Sequence, residues 1–176
     1  MKRRNIRLFD KDKSAVIALY EDSFPEDERM PYPMMITMAL RRGMDMQLYY
    51  HRGKLCAMTY IATYGKLSYI FYLAVDKELR GHGLGSRLLR QIKDDYPENN
   101  IILEIERLDP SAENNGERIR RKEFYRRNGF SECGRNVSYG GVDYEVLSST
   151  GTLDVNELDR LIKHFTFGAW KKAATE

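Results

Sequence analysis

The sequence predicts an α/β (α+β) domain, a mixed central sheet of about six to seven strands flanked by about four helices, with an extra helix at the C-terminus. Three observations predict it. Apolar runs at Gln47–His51, Lys54–Thr63 and Leu67–Val75 are joined by Arg52-Gly53 and Tyr64-Gly65-Lys66, the pattern of an antiparallel meander. The stretch "YLAVDKELRGHGLGSRLLRQI", Tyr72 to Ile92, passes from an apolar strand through three glycines into an amphipathic helix. After it come a short apolar strand, Ile101–Glu106, a helical stretch, Glu117–Arg127, and a hairpin around Gly140-Gly141.

Taken in order, Asn5–Phe9 reads as a first short strand. Asp10 is a candidate cap for a helix that places Ala15, Val16, Leu19 and Tyr20 on one face. "SFPEDERMPYP", Ser23 to Pro33, breaks that helix with three prolines, and a second helix is expected over Met34–Arg42. Leu84, Leu88, Leu89 and Ile92 mark the helix after the glycines. "RLDPSAENNGE" is a polar loop, and the helix that follows stops at Asn128-Gly129, a fitting C-cap. Ser131–Tyr139 and Val142–Leu147 make the last hairpin. Asp154, with Glu157 three residues later, has the spacing of a capping box for a terminal helix toward Phe165. There is no internal repeat and no low-complexity segment.

Bulk properties narrow the function. The 176 residues suit one domain with a small appendage, divided here at 1–150 and 151–176. A composition of 42% hydrophobic and 31% charged residues is that of a soluble globular protein. A net charge of +3 does not call for nucleic acid. Cys56 and Cys133 form no CxxC and no Cys/His zinc spacing, so no metal site is expected and both read as reduced, cytoplasmic thiols. "MKRRNIRLFDKDK" has no apolar core, so no signal peptide is expected. No apolar run approaches the length needed to cross a membrane.

Gly81, Gly83 and Gly85 weaken local structure unless something must come close to the backbone. A helix N-terminus with unpaired N–H groups attracts phosphate. A Walker A loop is excluded because no GK[ST] follows. The Rossmann fingerprint matches at Gly81 and Gly83, but Ser86 occupies its third glycine position and "DKELR" separates strand from loop. An acidic strand end, Glu104 or Glu106, does fall roughly 20 residues on, but no repeated βα units follow it. A plain structural turn is the remaining reading of the triplet by itself.

"RGHGLG", Arg80 to Gly85, fits R/Q-x-x-G-x-G/A between a strand and a helix, and "EFYRRNGF", Glu123 to Phe130, ends a helix that leads into a strand. Together they resemble the GCN5-related N-acetyltransferase (GNAT) superfamily, over Ile6 to about Leu147. The resemblance implies an enzyme of the acyltransferase type. Acetyl-CoA would be its co-substrate, its pyrophosphate held by the backbone of Gly81, His82, Gly83, Leu84, Gly85 and Ser86, with charge from Arg80. Gly83 and Gly85 would let the backbone come close. Leu73, Ala74 and Val75 would offer main-chain groups to the pantetheine arm and the thioester carbonyl, in a gap where the strand splays from its neighbour. Tyr125 matches the family's tyrosine that protonates the departing thiolate; its alternative is packing above Phe130. Arg121, one turn earlier, would favour tyrosinate, or else bind a CoA phosphate.

"LEIE" sets Glu104 and Glu106 on one face of an apolar strand, where carboxylates are costly unless paired, hydrated or useful. Glu104 follows Leu103 as in the "LEV" strand of ribosomal-protein N-terminal acetyltransferases, which makes it the candidate base, with a structural ion pair as the alternative. Those enzymes carry an Asn where this chain has Arg118, and Asn114 or Asn115 is the candidate replacement. Glu26, Asp27 and Glu28 of the loop between the first two helices, with Glu104 and Glu106, would line an acceptor site for a cationic amine. Tyr139 and Tyr144 would flank that acceptor or fill the core. The resemblance implies an amine-bearing small molecule, a peptide N-terminus or a lysine as acceptor, and it is compatible with a homodimer. "RIRRKEFYRR" is a basic helix without a nucleic-acid stacking motif, and a solvated face accounts for it. An inactive acyl-CoA-binding sensor on the same fold is the functional alternative.

Overall fold

The computed structural model describes residues 2–7, 10–166 and 173–175. Among them are eight strands and five α-helices. In chain order these are β1 (Lys2–Asn5), α1 (Lys13–Glu21), α2 (Tyr32–Ala39), β2 (Met44–His51), β3 (Lys54–Tyr64), β4 (Leu67–Val75), α3 (Leu84–Asp95), β5 (Asn100–Glu106), α4 (Asn115–Arg127), β6 (Ser131–Tyr139), β7 (Val142–Ser148), α5 (Val155–Thr166) and β8 (Ala173–Thr175). Single 3-10 turns cover Glu26–Glu28 and Lys77–Leu79. The strand order is β1-β2-β3-β4-β5-β7-β6-β8. The β4–β5 ladder is parallel, with α3 in the crossover, while β1–β2, β2–β3, β5–β7, β6–β7 and β6–β8 are antiparallel, so the sheet is mixed.

The chain divides into two compact units. The first is Met1–Thr63 with Ile70–Leu88, and the second is Tyr64–Tyr69 with Leu89–Glu176. In the first unit the meander carries an apolar core of Met46, Leu48, Met58, Tyr60 and Ile61, with Val16 and Met35 from the helices, each at most 2% exposed. Tyr49, Cys56, Ala57 and Leu88 form a buried cluster on which Val75, Leu79 and Leu84 pack. The start of α3 is therefore fastened to β2 and β3 by the leucines on either side of its first turn.

In the second unit, three residue pairs join β4 to β5, Leu67–Tyr69 with Asn100–Ile102. Leu103 pairs with Leu147, Glu104 with Val146 and Glu106 with Tyr144 on β7. Opposed residues point to the same side, so Glu104, Glu106, Tyr144 and Val146 share one face. Leu158, Leu161 and Phe165 of α5 are buried in this unit, spaced as one helical stripe. Among the described residues no helix is long and apolar enough to cross a membrane.

Several boundaries differ from the sequence reading. The first strand is Lys2–Asn5, not Asn5–Phe9, and Leu8 and Phe9 lie outside the described residues. Asp10 does not cap α1. Its carboxylate takes both guanidinium nitrogens of Arg4 and the N–H groups of Arg7 and Asp12, and the helix begins at Lys13. α2 starts two residues early because Pro33 sits in its first turn, where the missing N–H costs nothing. Asp154 does cap α5, its Oδ1 accepting the Asn156 and Glu157 N–H groups at 2.8 and 3.4 Å. Asn128 ends α4 as expected, with Gly129 at φ +76° and Lys93 Nζ donating to the Asn128 carbonyl at 2.8 Å.

Candidate active site

The glycine loop belongs to the first unit. β4 ends at Val75, and the Asp76 N–H bonds back to the Cys56 carbonyl at 2.9 Å. Asp76 Oδ1 then caps the Lys77–Leu79 turn through the Glu78 N–H. Gly81 and Gly83 follow at φ +80° and +76°, conformations that side-chain-bearing residues avoid. Gly85 lies inside the first turn of α3, without a positive φ. The first helical bond is from the Arg87 N–H to the Gly83 carbonyl, so the N–H groups of Leu84, Gly85 and Ser86 precede the helical ladder. A Cβ at Gly81 or Gly83 would meet nothing within 4 Å, so the chain leaves open space on that side of the loop. These amides, at the positive end of a twelve-residue helix, fit a phosphate group.

Other loop residues are held from within. Arg80 Nε donates to the Val75 carbonyl at 2.9 Å, folding the side chain back on the strand end. His82 Nδ1 lies 2.9 Å from the Arg80 carbonyl, which places the ring proton on Nδ1. Ala74 is buried, whereas Leu73 and Val75 are half-buried.

The loop between α1 and α2 also lies in the first unit, and two tyrosines hold it. The Met30 N–H donates to the Tyr20 and Tyr72 hydroxyls at 2.8 and 3.0 Å, and the Tyr72 hydroxyl donates to the Glu28 carbonyl at 3.0 Å. The Tyr20 and Tyr72 rings meet edge to face at 4.9 Å. Desolvation raises both hydroxyl pKa values, so both stay protonated. Glu28 is half-buried in the 3-10 turn. Sequence reasoning missed this clamp, since Tyr20 read only as part of a helix face and Tyr72 as part of an apolar strand.

The remaining candidates belong to the second unit. Glu106, 9% exposed, is bound by Arg118 at 3.0 Å, by Arg121 at 2.9 Å and by Asn114 at 3.2 Å. Its charge is matched by two cations. Arg118 also donates to Asn114 Oδ1 at 2.8 Å, so Asn114 and Arg118 act as one unit. Glu104 is half-buried and accepts from the Tyr139 hydroxyl at 3.2 Å. Tyr139 in turn stacks flat on Tyr144, ring centroids 4.2 Å apart.

Tyr125 is half-buried on α4, its ring edge to face with Phe124 at 5.1 Å and with Phe130 at 6.0 Å. Desolvation raises its pKa, and the opposing pull of Arg121 is the smaller effect. The phenol is therefore protonated at neutral pH, with Arg121 directed at Glu106. Lys122 reaches Glu132 and Glu145, and Arg127 lies over the Phe124 ring at 5.5 Å. Much of the charge of "RIRRKEFYRR" is thus engaged inside the unit. Among the described residues no group of three or more His, Cys, Asp or Glu is placed to hold a metal ion.

Comparison with known proteins gives three findings. A family model described as an acetyltransferase (GNAT) domain matches residues 45–132, half of the chain. No curated protein sequence matches. Among solved structures, a GNAT-family protein from Bacteroides thetaiotaomicron superposes with a TM-score of 0.75 at 19% identity, over 97% of this chain and 100% of that one. A ribosomal-protein alanine N-acetyltransferase from Escherichia coli gives 0.65 at 16% identity, over 87% and 95%. An aminoglycoside 6'-N-acetyltransferase complexed with coenzyme A gives 0.66 at 14% identity, over 84% and 96%. The architecture of this chain is the one these structures share.

Proposed function

The chain belongs to the GNAT acetyltransferase family, and from that premise we propose that it moves an acetyl group from acetyl-CoA directly to a primary amine. The observation that carries the proposal is the pair of left-handed glycines, Gly81 and Gly83, opening onto the first turn of α3. The N–H groups of Leu84, Gly85 and Ser86 would hold the pyrophosphate, while Arg80 and His82 brace the loop around it. Leu73, Ala74 and Val75 would offer main-chain groups to the pantetheine arm. Acetyl-CoA supplies an acyl group activated as a thioester.

On the acceptor side an alkylamine is mostly protonated at neutral pH, so a base assists. Glu104 would take that proton, oriented by the Tyr139 hydroxyl. Tyr125 would give its proton to the sulfur as the carbon–sulfur bond breaks, and desolvation keeps its hydroxyl protonated until then. Glu28 and Glu106 would belong to the acceptor wall. Because Arg118 and Arg121 match the charge of Glu106, Glu106 would add little to the attraction of a cationic amine. The acceptor would be a small amine, a lysine or a peptide N-terminus, in a cytoplasmic setting. Residues 1–150 would form the transferase domain, with 151–176 as its extension.

The test is release of free thiol from acetyl-CoA across a panel of small amines, polyamines, aminoglycosides and peptides. Turnover with one class is the expected result. Acetyl-CoA binding without turnover on any class would instead identify a sensor.

A further inference from the structure

A second candidate site lies in the second unit, at an irregularity in β6. Glu132 pairs with Leu147, and Asn136 pairs with Glu145. Between these pairings β6 runs through Cys133, Gly134 and Arg135 while β7 has Val146 alone. The surplus residues must leave the pleat, and Gly134 makes the turn at φ +75°. Beside this bulge is a cavity of about 280 Å³. At roughly 30 Å³ for each water, that is far more than one bridging water needs, and it is just below the range of drug-sized sites.

Three cations border the cavity, and they differ. Lys122 is committed to Glu132 and Glu145. Among the described residues neither Arg107 nor Arg135 pairs with a carboxylate, and Arg135 Nε is buried with no hydrogen-bond partner. A buried guanidinium nitrogen without a partner carries a cost, and an anion held beside the same guanidinium would offset it through charge. Leu108, 44% exposed, and Val146 add apolar lining.

We propose that this cavity binds a small organic oxyanion, a carboxylate or a phosphate ester. Arg107 and Arg135 take its charge, and its carbon body packs on Leu108. A planar fork of N–H donors matches both oxyanions. The proposal stands apart from acetyl transfer, because no residue of the cavity is assigned a part in that reaction.

The test is a titration of the full chain, followed by backbone amide NMR shifts, with inorganic phosphate in one arm and butyrate in the other. Saturable shifts at residues 133–136 are expected, and the tighter arm identifies the head group. Arg135→Gln and Arg107→Gln should each weaken binding on the order of 10-fold, the usual loss for one charge-assisted contact. Arg107 is exposed, so its variant keeps the fold. Gly83→Glu, which blocks the glycine loop, should leave these shifts in place. No saturable shift at 133–136 in either arm, or undiminished binding in both arginine variants, overturns the site. Loss of those shifts in Gly83→Glu also overturns it, by reassigning the anion to the loop.

Discussion

Arg121 Nη1 donates to Glu106 Oε2 at 2.9 Å from a position one helical turn before Tyr125. The contact turns a cation that would stabilise tyrosinate toward a carboxylate instead. Glu106→Gln should release that charge, lower the Tyr125 pKa and move the alkaline limb of the pH–rate profile to lower pH. It should also cost stability, between about 1 and 3 kcal/mol, since Arg118 is left largely buried and Arg121 is half-exposed. An unchanged alkaline limb would separate Arg121 from the acid.

Tyr125→Phe keeps the ring on Phe124 and Phe130 and deletes only the hydroxyl. The expected result is a fall in kcat on the order of 10²-fold or more, with acetyl-CoA affinity little changed. Steady-state kinetics with calorimetric binding checks both halves. A wild-type kcat would give the proton of the thiolate to water.

Glu104→Gln preserves shape and cannot accept a proton. If Glu104 is the base, kcat/KM drops at neutral pH and recovers as pH rises and free amine accumulates. Tyr139→Phe should show a weaker version of the same profile, because Tyr139 orients Glu104 from the next hairpin. A variant profile parallel to wild type at every pH would remove Glu104 from proton transfer.

Acetyl-CoA should raise the melting temperature of the protein, because a ligand of the native state alone stabilises it by mass action, and NAD(H) should not. Gly83→Glu should abolish the effect twice over. It puts a carboxylate where phosphate is expected and forces an L-residue to φ +76°, a conformation costing roughly 1–2 kcal/mol. Gly83→Ala carries only the second burden and should retain part of the effect. A full shift in the Glu variant would place phosphate elsewhere.

Arg4 and Asp10 give a stability signature at acid pH. Asp10 is held down to about 2 by the side-chain bond from Arg4. A depressed carboxylate contributes above its unfolded pKa, near 3.9, and loses that contribution as pH falls through its folded value. The window is therefore about pH 4 to 2, and the contribution at neutral pH is on the order of 2 kcal/mol. Denaturant melts of wild type and Asp10→Asn should differ by that amount at pH 7 and converge near pH 2. A constant gap would assign the loss to packing.

The order of elements, the glycine loop and the cap at Asp154 were legible because each depends on residues close in sequence. The role of Asp10 was not. A carboxylate before an apolar stripe reads as a helix cap, but here Arg4 from the preceding strand competes for it and wins with two charged contacts. Tyr72 read only as part of an apolar strand, because its partners are main-chain groups of Glu28 and Met30, more than forty residues away. Glu106 was read as part of an acidic lining, since Arg118 and Arg121 meet it only after the loop from Arg107 to Asn114 folds back. "ECGRN" carries no alternation that would disclose a bulge, so the cavity beside it emerges only from the register of β6 against β7.

The double hold of Tyr20 and Tyr72 on the loop between α1 and α2 acts through main-chain groups. The N–H of residue 30 exists in every amino acid except proline, and the carbonyl of residue 28 exists in all of them. Side chains at 26 and 28, exposed and half-buried, can therefore drift under selection while the loop keeps its path. If this loop walls the acceptor site, a lineage could change which amine it accepts by a few substitutions here without rebuilding the hinge points beneath. Directed evolution for new acceptors would do well to randomise these positions and leave both tyrosines untouched.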